Sequence, residues 1–236
     1  MFFGCKNLKT VVDLKSLNTS RCQNMMFMFA ESGITQVDLS GFDTRYTMRP
    51  DDANWSVQFG FEGMFMNCKN LKMLDISNFQ GTYYPGMFFG CESLKNIKLF
   101  ESINYDEDGY YIPRNELSGL FYGCKNLKEL DLSVLKDVKN PECLRYMFAN
   151  CTKLKKIYVS SNWTYDYTHV YEIENLDGTI ENKTIDNYHD HTDMFKNCPK
   201  LTGGKGTKWS AQNKTDHTFA HVDDGKERPG YFTIKK

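Results

Sequence analysis

Residues 64–77 read Met64-Phe65-Met66-Asn67-Cys68-Lys69-Asn70-Leu71-Lys72-Met73-Leu74-Asp75-Ile76-Ser77, and the stretch recurs along the chain. Its first ten residues return as MFFGCKNLKT from Met1, MFFGCESLKN from Met87, LFYGCKNLKE from Leu120, MFANCTKLKK from Met147 and MFKNCPKLTG from Met194. A seventh, degenerate copy, MFAESGITQV from Met28, has Ser32 in the cysteine place and lacks one residue. The shared rule is [Met/Leu]-Phe-x-[Gly/Asn]-Cys-x-x-Leu-x-x-apolar-x-apolar. Anchors fall at Cys5, Ser32, Cys68, Cys91, Cys124, Cys151 and Cys198, separated by 27, 36, 23, 33, 27 and 47 residues. A short unit recurring in this way is the signature of a solenoid, in which each unit buries its apolar face only against its neighbours.

The spacing inside the unit predicts local structure. After the cysteine, the apolar residues are Leu71, Leu74 and Ile76, then Leu94, Ile97 and Leu99, then Leu127, Leu130 and Leu132, then Leu154, Ile157 and Val159. The last two of each set alternate with period two, as in a short strand with one buried face. Stacked coils then give a parallel sheet along one side. Before the cysteine, Leu144, Met147 and Phe148 fall at helical spacing, with Asn140 as N-cap and Pro141 at the first helical position. The expected fold class is therefore α/β: a repeat solenoid with a parallel sheet on one side, short helical turns on the other, and hairpin insertions. Residues 1–202 form about seven irregular units, interrupted at 45–63, 101–119 and 160–193, and residues 203–236 form a C-terminal cap.

Composition excludes several classes. The 236 residues are 40% hydrophobic and 25% charged, ordinary for a folded chain, and no stretch approaches the roughly 20 apolar residues of a membrane-spanning helix. Lys and Arg number 29 against 30 Asp and Glu, a net charge of −1 with both signs mixed, which argues against a nucleic-acid partner.

The Met-Phe pairs, cysteines and leucines, with DLSGF (Asp38 to Phe42), DISNF (Asp75 to Phe79) and DLSVL (Asp131 to Leu135), resemble the BspA-like leucine-rich-repeat surface proteins of bacteria. The closing HVDDGKERPGYFT, His221 to Thr233, is also similar to the end of such proteins. The resemblance implies a secreted or cell-surface, extracellular protein of bacterial source. It would mediate adhesion or protein binding, with a host or bacterial surface protein or a glycan as partner and no catalytic role. One departure is that Lys98 and Tyr158 replace the aspartate in two units, so a ladder of aspartates is broken.

Eight cysteines invite a disulfide framework. Six of them, however, share one phase of the repeat beside Phe and Leu, where a small hydrophobe belongs. Cys22 also sits in an apolar phase. Side chains at equivalent places point in parallel, whereas a bridge needs facing Cβ vectors, so buried free thiols are expected, with disulfides or a metal as the alternatives. No Cys-x-x-Cys occurs.

Function is expected where the repeat is interrupted. The insertion at 45–63 holds Met48 to Asp52 and Trp55. The insertions at 101–119 and 160–193 together hold seven of the 14 tyrosines. Each carries a hairpin signal. Ile103, Tyr105, Tyr110 and Ile112 flank Asp106 to Gly109, and Val170 to Ile185 alternates around Asp177-Gly178. A two-residue turn at the second would oppose Glu174 and Glu181, so a longer loop and another register stay open. Tyr105, Tyr110, Tyr111, Trp163, Tyr165, Tyr167 and Tyr171 are the candidate contact surface for a protein or glycan. The competing reading is that these rings serve as packing.

His189-x-His191 beside Asp190 and Asp193 would present two rings on one face of a strand, but no separate third ligand is evident. The other reading is a polar lead-in, with Thr192 or Asp193 capping the next helical turn. No nucleophile elbow, phosphate loop or zinc-protease helix is present in the sequence, so no catalytic residue, metal ligand or cofactor is assigned. Met1 already occupies the Met place of a unit and no secretory signal precedes it, which suggests a trimmed or truncated form of a longer secreted protein. After Gly203 to Gly206, Trp209, Phe219, Val222, Tyr231, Phe232 and Ile234 resume apolar alternation, as a hairpin covering the last coil.

Overall fold

A computed structural model of the chain describes residues 1–45, 47, 60–80, 84–100, 117–135, 144–161, 163, 169–174, 180–185, 192–212 and 215–236. The strands fall where period-two alternation places them. They are β1 (Met73–Asp75), β2 (Asn96–Lys98), β3 (Glu129–Asp131) and β4 (Lys156–Val159), followed by β5 (His169–Glu174), β6 (Ile180–Ile185) and β7 (Phe232–Ile234). β1 pairs with β2, and β3 with β4, all parallel and in one register: Leu74 lies beside Ile97, and Leu130 beside Ile157. Leu74, Leu130 and Ile157 are buried, so the repeat phase and the sheet register are one property. Among the described residues the ladder is interrupted between β2 and β3. The insertion at 101–119 leaves the chain shortly after β2. There Asn126 holds the coils together instead, its backbone N–H and its Nδ2 both donating to the Glu92 carbonyl at 3.2 and 2.8 Å.

The Met-Phe segments differ from the expected helical turns. Among the described residues there is no α-helix, and the only helical pieces are 3-10 turns at Leu14–Ser16 and His217–Phe219. Each Met-Phe segment is instead a run of tight turns with two alternating sets of amide hydrogen bonds. In the unit of Cys68, Met64, Met66 and Cys68 donate within the coil, to the carbonyls of Phe61, Gly63 and Phe65. The amides between them donate to the next coil: Gly63 to Pro85, Phe65 to Met87 and Asn67 to Phe89, at 3.0, 2.9 and 2.6 Å. The following coils repeat the pattern, with Phe88 donating to Leu120, Phe121 to Met147 and Phe148 to Met194. A helix would spend every one of these amides on its own carbonyls; the alternation lets each coil satisfy its neighbour.

Two left-handed residues per unit produce this geometry. One immediately precedes the cysteine place: Gly4, Glu31, Asn67, Gly90, Gly123, Asn150 and Asn197 all have φ between 56 and 71°. The other lies four residues earlier, at Phe27, Gly63, Gly86, Gly119, Tyr146 and Asp193. The Gly-or-Asn place of the repeat is thus a backbone requirement, since those residues tolerate the left-handed region best. Asn adds a contact of its own, with Asn197 Nδ2 donating to Asn150 Oδ1 at 2.9 Å.

Turning the Met-Phe segment inward stacks one phenylalanine per coil. Phe2, Phe29, Phe65, Phe88, Phe121, Phe148 and Phe195 form an unbroken column with centroid separations of 5.3, 5.2, 5.9, 5.5, 6.1 and 5.6 Å. Offset stacks at such spacing add about 0.5–1.5 kcal/mol per pair beyond burial itself. The cysteines stand beside this column. All seven described cysteines are free, five of them buried, while Cys5 is exposed, Cys22 is half-buried and Cys143 lies outside the described residues. Each buried thiol donates to the phenylalanine carbonyl of the preceding coil: Cys68 to Phe29, Cys91 to Phe65, Cys124 to Phe88, Cys151 to Phe121 and Cys198 to Phe148, at 3.0–3.3 Å. That carbonyl already accepts the amide of its own coil's cysteine-place residue, so the thiol fills its second lone pair. In the degenerate unit the Ser32 hydroxyl lies 3.5 Å from Cys68 Sγ.

At the C-terminus the expected hairpin is replaced by a parallel strand. β7 joins β4, with Tyr158 beside Thr233. Tyr231 and Phe232 meet Phe195 edge-on at 5.0 and 6.0 Å, ending the stacked column. A self-contained hairpin would leave the edge of β4 unpaired, whereas β7 uses it.

The left-handed positions generate a test. Replacing Glu31, which is exposed with φ 58°, by Asn should stabilise the protein by about 0.5–1 kcal/mol, and Gly123→Ala should destabilise it by about 1 kcal/mol. Urea unfolding midpoints read both; two neutral substitutions would contradict the backbone requirement.

Candidate functional site

The solvent side of the sheet is built by the residues flanking each buried strand residue. Register places Met73 beside Asn96 and Asp75 beside Lys98, then Glu129 beside Lys156 and Asp131 beside Tyr158. In the first four coils Gln36, Asp38, Met73, Asp75, Asn96 and Lys98 line an open groove of about 540 Å3, to which Thr10 and Val11 also contribute. Met73 is 55% exposed on it.

Asp-x-Ser closes the turn after the strand. The Asp75 carboxylate accepts the Ser77 amide at 3.1 Å and its hydroxyl at 2.7 Å, and Asp38 with Ser40 and Asp131 with Ser133 repeat the arrangement. These aspartates are therefore turn-formers first. The departures from the aspartate ladder are complementary. Lys98 stands beside Asp75 and pairs with it at 2.8 Å, where another aspartate would repel it. With Ser77 adding its hydrogen bonds, the Lys98 ammonium holds the Asp75 carboxyl at about 2. Where Tyr158 stands beside Asp131, the cation comes from the C-terminal segment, as Lys235 pairs with Asp131. Burial of Asp131 opposes its ionisation, but the bonds from Lys235 and Ser133 outweigh it and lower its pKa.

The five buried thiols are chemically quiet. Burial pushes Cys91, Cys124 and Cys151 far up, Cys198 to about 12 and Cys68 to about 11. They are neutral at pH 7 and poor nucleophiles or metal ligands. Among the described residues no group of three or more His, Cys, Asp or Glu is placed to hold a metal ion.

Asp223, in the segment after the repeats, is 2% exposed. Its carboxylate gathers the segment around itself. It accepts the amides of Lys205, Thr207 and Gly225 at 2.7, 3.0 and 2.9 Å and the Thr207 hydroxyl at 2.7 Å. Gly203 runs so close that a Cβ there would lie 2.6 Å from Asp223 Oδ2. Burial raises the cost of the charge, but these donors together exceed it and hold the pKa at about 2. That a buried carboxylate organises the closing segment is visible only once these donors converge in the fold.

The candidate contact residues divide. Trp163 is 7% exposed, its indole N–H donates to the Ala220 carbonyl at 3.2 Å, and its ring meets Phe232 edge-on at 5.2 Å. It packs the insertion onto the C-terminal segment and presents no ring to a partner, which corrects its place on the contact surface. Tyr105, Tyr110, Tyr111, Tyr165 and Tyr167 lie outside the described residues, as do the 103–112 hairpin, Trp55, the cap at Asn140 and Pro141, and the His189–His191 pair. Tyr171 lies in β5, opposite Lys183 of β6. That hairpin pairs Glu174 with Ile180 and Ile173 with Glu181, so the longer loop is the one adopted and the two glutamates are not opposed. Asp193 is left-handed, with φ 54°, and pairs with Lys196 at 2.7 Å, so it shapes a turn and caps no helix.

A family profile of the BspA type leucine rich repeat region matches residues 20–112 and 115–213, in six copies. The chain belongs to the BspA-type leucine-rich repeat family. The anchor at Cys5 precedes the matched residues of this leucine-rich repeat protein. No curated protein and no solved structure gives a significant match. Among the described residues no helix is long and apolar enough to cross a membrane.

The Asp223 cluster yields a pH prediction. A carboxyl held at about 2 in the fold, against an ordinary 3.8, contributes about 2 kcal/mol that is present above pH 4 and lost as the pH falls toward 2. Asp223→Asn should therefore be less stable at pH 7 by about 1–3 kcal/mol and show a shallower loss of stability below pH 4. Parallel stability–pH curves for the two proteins would contradict the assignment.

Proposed function

We propose that the coils form one solenoid acting as a non-catalytic module of the extracellular space or cell surface, which binds a host or bacterial surface protein in an adhesive role. The observation that carries this reading is the contrast between the two sides of the strands. The inward places repeat as Leu74, Ile97, Leu130 and Ile157, while the outward places change from coil to coil: Met73, Asn96, Glu129 and Lys156, then Asp75, Lys98, Asp131 and Tyr158. A constant interior bearing a varied face is the arrangement of a recognition surface, and the family's repeats supply the extended scaffold for it. The burial of the five repeat thiols Cys68, Cys91, Cys124, Cys151 and Cys198 is in keeping with a structural role for them. The insertion tyrosines Tyr105, Tyr110, Tyr111, Tyr165, Tyr167 and Tyr171 extend the contact surface in this reading, as amphipathic rings with few rotatable bonds.

Retention of labelled protein on bacterial or host cells tests the proposal. Protease treatment of the cells should abolish retention, and replacing the six tyrosines by Ser should reduce it about tenfold or more, the cost of losing one or two anchoring rings. Retention that survives protease but is lost after periodate treatment would instead assign the partner to glycan. Retention indifferent to the six substitutions would remove the tyrosines from the surface.

A further inference from the structure

The place four residues after the cysteine is occupied by Lys9, Lys72, Lys95, Lys128 and Lys155, with Thr35 and Thr202 at the corresponding places of the degenerate and last units. Backbone hydrogen bonds put these residues in two runs along the stack, Lys9 to Lys95 and Lys128 to Thr202, and the Asn126–Glu92 contact keeps the two runs on adjacent coils. Thr35 donates to Lys9, Lys72 to Thr35, Lys95 to Lys72, Lys155 to Lys128 and Thr202 to Lys155, at 2.7–3.1 Å. All five lysines are exposed. Among the described residues, the ammonium groups of these five have no carboxylate and no other acceptor.

The neighbouring lysines behave differently. One place after the cysteine, Lys69 and Lys125 both pair with Glu92, at 3.8 and 3.1 Å. Lys153 donates to Asn126 Oδ1, Lys156 to the Gly203 carbonyl, and Lys98 and Lys235 pair with Asp75 and Asp131. Unpaired cations such as Lys6, Lys15, Lys200 and Lys226 also stand elsewhere on the described surface, but these five recur at one place of the repeat and so share one line along the stack.

We propose that this lysine column is a binding ridge for a linear acidic polysaccharide. Adjacent coils follow one another at about 4.8 Å, so lysines on neighbouring coils lie within a Debye length of about 8 Å and their potentials add, while Lys9, two coils from Lys72, extends the line at about 10 Å. A linear polymer bearing carboxylates or sulfates can follow such a line and neutralise several lysines at once, releasing condensed counterions. Flexible four-carbon stems let point charges adjust to the polymer's own spacing, with no fixed fork geometry to satisfy. The column holds no aromatic ring, its other members being Thr35 and Thr202, so the base-stacking platform that single-stranded nucleic acid requires is lacking in it. The ridge goes beyond the protein-binding reading above as a second, separate surface, and uses none of the insertion tyrosines.

Titration of the full chain with a heparin oligosaccharide and with a hyaluronate oligosaccharide, in low and in physiological salt, tests the ridge. Binding to at least one is expected, with log affinity falling linearly as log salt rises. The variant Lys72→Ser/Lys95→Ser/Lys128→Ser/Lys155→Ser should lose about tenfold or more in affinity. Lys69→Ser/Lys125→Ser, which removes two already paired lysines, should lose less than about twofold. If the fourfold variant does not fold, Lys95→Ser/Lys128→Ser should give an intermediate loss and a smaller salt slope. The tyrosine-substituted protein should keep full polysaccharide affinity, which separates failure of the ridge from failure of the tyrosine surface. The ridge is overturned if neither polysaccharide binds, if the paired and unpaired lysine variants lose equally, or if an oligo-dT of matched charge binds as tightly.

Discussion

Every coil depends on the alternation of amide direction in its Met-Phe segment. Because two residues per unit are left-handed, the amides between successive turns point along the stack and find the next coil's carbonyls. That sets the distance at which phenylalanines stack and places each cysteine thiol on the carbonyl of the preceding phenylalanine. The sheet on the other side is shorter, three or four residues per strand, and is interrupted between β2 and β3. The turn side carries the continuity there, as Gly86, Phe88 and Gly90 donate to Ser118, Leu120 and Tyr122 without a gap.

Much of this was legible in sequence because it is repeated. The buried leucines and the sheet register follow directly from Leu-x-x-apolar-x-apolar, as Leu74 against Ile97 and Leu130 against Ile157 bear out. The turns were misread as helical because Leu144, Met147 and Phe148 satisfy helical spacing, and a run of tight turns presents its inward side chains at similar intervals. The information that distinguishes them was in the Gly-or-Asn place, since a left-handed residue in every unit is incompatible with a continuing helix. The cysteines were legible as buried thiols from their phase, but not as hydrogen-bond donors, because a hydrophobe would fit the same pattern.

The site was less legible. Lys98 and Tyr158 read as defects in an aspartate ladder; the fold makes the first a charge partner and supplies Lys235 from over 70 residues away for the coil of the second. Trp163 was grouped with the insertion tyrosines by composition, yet its indole N–H needs a buried acceptor and finds one on Ala220. Likewise, the mixed charge of the sequence suggested no basic stripe. A stripe emerges when lysines 23 to 63 positions apart are brought to one place on successive coils.

The alternating ladder is tested most directly by native-state hydrogen exchange followed residue by residue. The amides that bridge coils, those of Phe65, Asn67, Phe88, Gly90, Phe121, Gly123, Phe148 and Asn150, should be among the slowest in the protein and share one opening free energy close to that of global unfolding. Fast or independent exchange at these amides, with the strand amides still protected, would show that the sheet holds the coils together and that the turn ladder does not.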